Sequence, residues 1–175
     1  MSETRTNAYA DAVLAVIRAE GAHADMEDAL FRFARAVEGN DELRSTLADP
    51  HIPAATRQQV VEDLLGGKAS DPTIAVISMI VAAGRIGDLG KIVDEVLARS
   101  ASGRGELVAE VRSAVALSPE QQQRLAAALS AKTQGSVTVR NVVDPAVLGG
   151  VVTTIGDSVL DGSVRTRLTQ LRDAF

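Results

Sequence analysis

The sequence predicts a mainly α protein in which an N-terminal six-helix bundle, residues 1–104, is followed by a small α+β domain, residues 105–175. Apolar residues recur with a helical period up to about residue 102. Small and flexible residues then occupy positions 99–105 (RSASGRG), and beyond them the apolar period is that of strands. An apolar content of 46% over 175 residues is enough for a core in each part.

The six predicted helices are delimited by residues that favour turns. These are Gly21, Gly39-Asn40, Asp49-Pro50, Ile52-Pro53, Gly66-Gly67 and Gly84 to Gly87. Asp71 and Pro72 suit the N-cap and first turn of the fifth helix, and Asp88 can cap the sixth.

A period of two marks two strands in the second part. They centre on Leu107, Ala109 and Val111 and on Val137, Val139 and Val143. Between them, a capping box at Ser118 to Gln121 and a glycine suited to the C-cap, Gly135, predict one helix. Gly149-Gly150 then leads into a third strand, Val151 to Ile155, and Asp161-Gly162-Ser163 introduces a final helix that ends at Phe175.

Side chains that catalytic and metal sites commonly need are scarce. The chain has no cysteine, and its two histidines are His23 and His51. A zinc site or a histidine general base therefore has few candidates. We expect no enzymatic activity, no cofactor, no metal and no small-molecule substrate.

Two loops look superficially like ligand sites. Residues 67–70 (GKAS) fail as a phosphate-binding loop because Glu62 replaces its first glycine and Ala69 its hydroxyl residue. Residues 157–162 (DSVLDG) fail as a calcium loop because Val159 offers no oxygen ligand. We interpret the first as a solvated turn and the second as a turn and helix cap.

Charge and hydropathy narrow the choice of partners and location. A net charge of -5 disfavours nucleic acid. The longest apolar run, Thr73 to Ala83, is shorter than the roughly 18 residues that a membrane-spanning helix needs. Residues 1–10 do not have the pattern of a signal peptide. We therefore expect a cytosolic protein that does not insert into the membrane.

Two helices carry more apolar surface than a domain of about 100 residues readily covers. In the first, Ala10, Leu14 and Ala15 add to a stripe of Ala8, Tyr9, Ala12, Val13, Val16 and Ile17. The fifth is apolar all round from Thr73 to Ala83. Either both helices are core, or they lie side by side and leave a groove for an amphipathic helix of a partner.

The last predicted helix combines an apolar stripe with several arginines. Val164, Leu168, Leu171 and Phe175 are spaced by four, three and four residues, and Arg165, Arg167 and Arg172 lie elsewhere on its surface. Such a helix either caps the small sheet with a solvated face outward or meets an acidic or polar helical partner.

The segment Val137 to Leu171 resembles the signature region of the ATP synthase delta subunit and of its mitochondrial counterpart, the oligomycin-sensitivity-conferring protein. The resemblance lies in Asp144, Leu148-Gly149-Gly150-Val151, Ile155-Gly156-Asp157, Asp161-Gly162-Ser163-Val164-Arg165 and Arg167-Leu168. Earlier in the chain it extends, more diffusely, to Ala8-Tyr9-Ala10-x-Ala12, Asn40-x-x-Leu43, Leu47, Pro50 and Gly84-Arg85. Thr153-Thr154 depart from the family, which more often has an aliphatic and then a basic residue there.

The resemblance implies a non-catalytic connector of the F-type ATP synthase on the cytoplasmic face of the bacterial plasma membrane. Its first and fifth helices are expected to bind the N-terminal helix of an alpha subunit, and its C-terminal domain the b subunits of the peripheral stalk. The expected groove residues are Tyr9, Ala12, Val13, Val16, Met79, Ile80 and Ala83. The expected stalk contacts are Arg165, Arg167, Leu168, Leu171 and Arg172.

Two other classes of function stay open at this point. One is a helical regulatory module that binds a signalling or transcription partner and is unrelated to ATP synthase. The other is a small hydrolase with a carboxylate site that shows no recognisable motif.

Overall fold

The computed structural model describes residues 2–21, 23–147, 149–156 and 158–162. The chain divides into two compact units, of which the first ends at Arg99 and the second begins at Ser100. This division falls inside residues 99–105, whose first five residues, up to Gly103, are helical.

The first unit is built from α-helices. In chain order they are α1 (Ser2–Glu20), α2 (His23–Glu38), α3 (Asp41–Ala48), α4 (Ala54–Leu65), α5 (Asp71–Ala82) and α6 (Leu89–Gly103), with a 3-10 turn at Ile86–Asp88 before α6. Local chemistry explains their ends. Asn40 caps α3, since its side-chain oxygen accepts a hydrogen bond from the N–H of Leu43 at 3.0 Å. The predicted cap of α5 was wrong by one residue, because Ser70 is the N-cap and Asp71 is already helical.

The core of the first unit is mainly aliphatic, with Phe31 and Phe33 also buried. Its largest fully buried side chains include Ile17, Met26, Leu30, Leu47, Ile77, Ile80, Leu89 and Ile92. The apolar residues of α1 divide between core and surface. Ala10, Val13, Leu14 and Ile17 are buried, while Ala8 and Ala12 of the apolar stripe are exposed.

Arg57 is one of the buried polar residues of the first unit, with Glu27, Thr73 and Ser78. Its side chain is on α4 and is 7% exposed. Its Nη1 donates to the carbonyl oxygens of Leu47 and Val81, both at 3.2 Å, which lie in the last turns of α3 and α5. The partial negative charge at these two helix ends favours a cation there. Arg57 therefore connects the C-terminal ends of two helices.

The second unit contains α7 (Pro119–Thr133) and a four-stranded sheet. The strands are β1 (Glu106–Ser113), β2 (Ser136–Val143), β3 (Val151–Ile155) and β4 (Ser158–Asp161), in the order β2-β1-β3-β4. β1 and β2 are parallel, as a connection through a helix allows, and β3 runs antiparallel to both β1 and β4. Ala109, Val137 and Leu129 form its small core. The mainly α class with a small α+β part is confirmed.

Two local predictions in the second unit were wrong. Residues 158–161 form β4, not a turn, because their backbone pairs with β3 in the register Thr153 to Leu160. The residue that ends α7 in the left-handed conformation is Gln134, with φ of 55°, and not Gly135. The capping box at Ser118 and Gln121 is present as predicted. The predicted final helix, through Phe175, lies outside the described residues.

Within the described part of the chain, no single helix combines the length and the apolar composition that crossing a bilayer requires. Residues 71–82 and 86–103 meet those criteria only as a pair, and the two helices are bent by 116° relative to each other.

Candidate functional site

The outer edge of α1 carries three of the predicted groove residues. Tyr9, Ala12 and Val16 follow one another at i, i+3 and i+7, so they lie along one side of the helix. Ala12 is exposed, and Tyr9 and Val16 are half-buried. The alanine leaves the backbone accessible between two larger apolar side chains.

On α5, two of the predicted groove residues face outward. Met79 is 43% exposed, and Ala83, the residue that ends the helix, is exposed as well. An exposed methionine supplies flexible, polarisable apolar surface that can adapt to a partner. These two residues and the edge of α1 form what we call the α1–α5 surface: Tyr9, Ala12, Val16, Met79 and Ala83.

The other two predicted groove residues, Val13 and Ile80, are buried in the core. Val13 is 1% exposed and Ile80 is fully buried. They pack in the core behind the α1–α5 surface, so a docked partner cannot contact them without displacing other residues. Their role is to hold the two helices in place.

The helices that carry the surface are packed against each other, and α1 also packs on α2. An ion pair fixes α1 to α6 next to the surface, because Arg99 donates to Asp11 at 2.5 Å and to Glu95 at 2.6 Å. The hydrogen bonds to Glu95 and Asp11 raise the pKa of Arg99. Asp11 directly precedes Ala12, so this contact orients the edge of α1.

The structure adds exposed apolar residues that the sequence analysis did not assign to a site. They are Ala8 and Ala15 on α1, Ala75 and Ala82 on α5, and Leu64 on α4. Alanine is compatible with both core and surface positions, so helical spacing alone did not separate these residues from the core.

The predicted stalk contacts Arg165, Arg167, Leu168, Leu171 and Arg172 lie outside the described residues. Among the residues that are described, no three His, Asp or Glu side chains are grouped so that they could hold a metal ion. His51 is 92% exposed and its Nδ1 lies 2.9 Å from Oδ1 of Asp49.

Several residues that carry the sequence resemblance have structural roles. Asp144 accepts a hydrogen bond from the N–H of Ala146 at 2.9 Å and lies 3.5 Å from the guanidinium of Arg112, which shapes the turn after β2. Gly84 follows α5 with φ of +68°, a conformation that residues with a Cβ rarely adopt. These positions end helices and strands.

The family model of the ATP synthase delta (OSCP) subunit matches residues 6–175, nearly the whole chain. The chain belongs to this family. The delta (OSCP) assignment agrees with the resemblance in residues 137–171 and extends it through the helical unit.

Proteins with similar sequences belong to the same family. The chain is 40% identical over 147 residues to the ATP synthase subunit delta of Nocardia farcinica, and the aligned region covers 84% of this chain and 54% of that protein. It is 41% identical over 164 residues to the ATP synthase subunit delta of Kineococcus radiotolerans, and the aligned region covers 92% of this chain and 59% of that protein. The chain thus spans somewhat more than half the length of these relatives.

A solved structure shares the fold of this delta (OSCP) family member. It is a chain of the Toxoplasma gondii mitochondrial ATP synthase hexamer, determined by cryo-EM. The TM-score is 0.55 at 20% sequence identity, with 97% of this chain and 96% of that chain covered. At this identity the likeness concerns the fold alone.

Proposed function

We propose that this chain is a non-catalytic connector of an F-type ATP synthase that joins the catalytic head to the peripheral stalk. The observation that carries the proposal is the family match over residues 6–175 together with an apolar surface left uncovered on α1 and α5. By holding the head still while the central rotor turns, a connector couples proton flow to ATP synthesis.

The α1–α5 surface is the proposed binding site for the N-terminal helix of an alpha subunit. A helix that packs here buries Tyr9, Val16 and Met79, and Ala12 permits its backbone to approach closely. Apolar burial contributes about 25 cal/mol per Å², of which association and side-chain ordering offset a large share. The central position of Ala12 makes it the most sensitive point of the surface.

The second unit is proposed to bind the b subunits of the peripheral stalk. Support comes from the sequence of residues 163–175, where Leu168 and Leu171 provide an apolar stripe and Arg165, Arg167 and Arg172 provide positive charge. Arginines at the edge of an interface contribute mainly to orientation and association rate.

We propose that the chain has no catalytic role of its own. Residues that carry the resemblance to the family, such as Asn40, Asp144 and Gly84, are occupied in caps and turns, so their chemistry is already used in folding. As part of the complex, the protein is proposed to reside on the cytoplasmic face of the bacterial plasma membrane.

Ala12→Asp tests the binding site for the alpha subunit. A carboxylate there loses its hydration when the partner helix docks, so affinity for an alpha N-terminal peptide should fall by at least about tenfold, or 1.4 kcal/mol. Isothermal titration calorimetry measures the affinity, and denaturation should show an unchanged fold because Ala12 is exposed. Ala36→Asp, at an exposed position of α2, is the matched control. Equal affinity of wild type and Ala12→Asp would reject the α1–α5 surface.

Co-purification tests the function apart from the site. The tagged protein should recover the alpha, beta and b subunits from its native cells. If these subunits are recovered but Ala12→Asp binds the alpha peptide as tightly as wild type, the connector role stands. The alpha subunit then contacts another surface of the chain. Recovery of signalling or transcription proteins alone would reject the connector role.

A further inference from the structure

A pocket lined mainly by apolar side chains lies between α2, α3 and α4. It has a volume of about 330 Å³. We call it the α2–α4 pocket and define it by its apolar lining, which is Phe33 and Ala36 of α2, Leu43 of α3, and Leu64 and Leu65 of α4. Within the described structure, it has no lining residue in common with the α1–α5 surface.

The apolar side chains of the pocket come from three helices and extend from the surface to the core. Phe33 is 5% exposed, Leu43 and Leu65 are half-buried, and Leu64 is 39% exposed. A leucine exposed by itself is common, whereas several large apolar side chains around one void are typical of a binding site. Small-molecule sites are concave, mostly apolar and about 300–1,000 Å³ in volume. The α2–α4 pocket therefore fits a small, mainly apolar molecule.

Two basic residues also line the pocket. Lys68, in the turn after α4, is exposed and forms no ion pair within the described part of the chain. The Nε atom of Arg32 lies 3.0 Å from a carboxylate oxygen of Asp28, and this ion pair is exposed. An exposed ion pair contributes little to stability, so an incoming anion can compete for Arg32. The pocket therefore combines apolar walls with positive charge on its solvent side.

This combination selects an amphiphile that has one alkyl chain and an anionic head group. The apolar walls favour the alkyl chain, and Lys68 and Arg32 favour an anion over a cation or a neutral group. A volume of about 330 Å³ accommodates one short chain better than the two chains of a phospholipid. The net charge of -5 also disfavours an anionic membrane surface. A free medium-chain fatty acid is the ligand that meets these conditions.

We infer that the α2–α4 pocket binds a medium-chain fatty acid. The alkyl chain of the ligand packs on Phe33, Leu43 and Leu64, and its carboxylate pairs with Lys68 and Arg32. Because the ligand contacts three helices that are brought together only in the folded first unit, its binding stabilises that unit. The inference does not depend on the proposed function.

Decanoate tests the inference on the full chain, and decyltrimethylammonium, which has the same alkyl chain and a cationic head group, is its control. Below the concentrations at which either compound forms micelles, decanoate should bind to one site, and the cation should bind at least about tenfold more weakly. Calorimetry measures both affinities. Decanoate should also raise the midpoint of urea denaturation. Absence of decanoate binding, or equal binding of the two compounds, overturns the inference.

Variants then locate the site. Lys68→Glu should weaken decanoate binding about fivefold, because a repulsive charge replaces an attractive one. Lys91→Glu, the same change of charge at an exposed position of α6, should alter it by less than about twofold. Ala36→Asp, which places a carboxylate in the apolar lining, should weaken it at least about tenfold. All three positions are exposed, so circular dichroism should be unchanged. If the two lysine variants weaken binding equally, or if Ala36→Asp has no effect, the pocket is not the site.

A competition experiment separates this site from the α1–α5 surface. A saturating concentration of decanoate should leave the affinity for the alpha N-terminal peptide unchanged, and Ala12→Asp should leave the affinity for decanoate unchanged. If decanoate and the peptide compete, or if Ala12→Asp weakens decanoate binding as much as Ala36→Asp does, the fatty acid binds at the α1–α5 surface. Its assignment to the α2–α4 pocket is then wrong.

Discussion

Arg57→Met is the substitution whose effect the structure specifies most closely. Methionine preserves much of the aliphatic volume but removes the guanidinium that donates to Leu47 and Val81. The two carbonyl oxygens differ in the hydrogen-bond donors that they keep after the substitution. That of Val81 still accepts from the N–H of Gly84 at 2.9 Å. For Leu47, the N–H four residues later, that of His51, donates to Asp49 instead.

The magnitude follows from this asymmetry. A hydrogen bond from a charged donor contributes about 1.5–3 kcal/mol, and a buried carbonyl left without a donor costs about 1–3 kcal/mol. The substitution also removes the free-energy cost of burying the charged guanidinium, and this offsets part of the loss. We expect a net decrease of about 2–4 kcal/mol in the free energy of unfolding, with Arg57→Lys intermediate because lysine still carries a donor.

Urea denaturation of the full chain measures this change. Tyr9 is the single tyrosine and the chain has no tryptophan, so tyrosine fluorescence follows the first unit specifically. Arg44→Met on α3 is the control, since Arg44 makes an exposed ion pair with Asp41 and should contribute less than about 1 kcal/mol. An Arg57→Met variant as stable as the wild type would refute the reasoning, because burial of the guanidinium would then cancel its two hydrogen bonds.

Three further predictions concern local features of the chain. Gln134→Gly should raise the free energy of unfolding by about 0.5–1 kcal/mol, because glycine adopts a φ of 55° without steric cost; a loss of stability in thermal unfolding would contradict this. Ser118→Ala should lower it by about 1 kcal/mol through loss of the capping box with Gln121, as judged by urea denaturation, and an unchanged midpoint would speak against the cap. Hydrogen bonds from His51, first from its backbone N–H, lower the pKa of Asp49 below the usual 3.8. The stability advantage of wild type over Asp49→Asn should therefore be present above pH 3.8 and disappear as the pH falls through the lower pKa of the folded state; a pH-independent difference would exclude the charge as its source.

Sequence reasoning succeeded where structure depends on neighbouring residues. Ser118 caps α7 through the backbone N–H of Gln121 three residues later, as predicted, so the signal and its effect lie within one turn. The alternation in residues 107–111 likewise marks β1, with Ala109 and Val111 fully buried.

It failed where a residue's environment is supplied by distant segments. Residues 158–161 contain nothing that requires a strand, and they form β4 because β3 offers unpaired backbone groups beside them. The sequence around Arg57 is typical of a residue on a helix surface, yet its guanidinium donates to carbonyl oxygens at the ends of α3 and α5. Neither fact has a local signal.

The candidate surface shows the same division. The sequence by itself identified α1 and α5 as helices with excess apolar character, because composition and period are properties of the segment alone. Only the tertiary structure decided that Val13 and Ile80 point into the core while Ala12 and Met79 remain accessible. An alanine-rich helix has no polar face to define its orientation, so packing against the other helices determines which side is exposed.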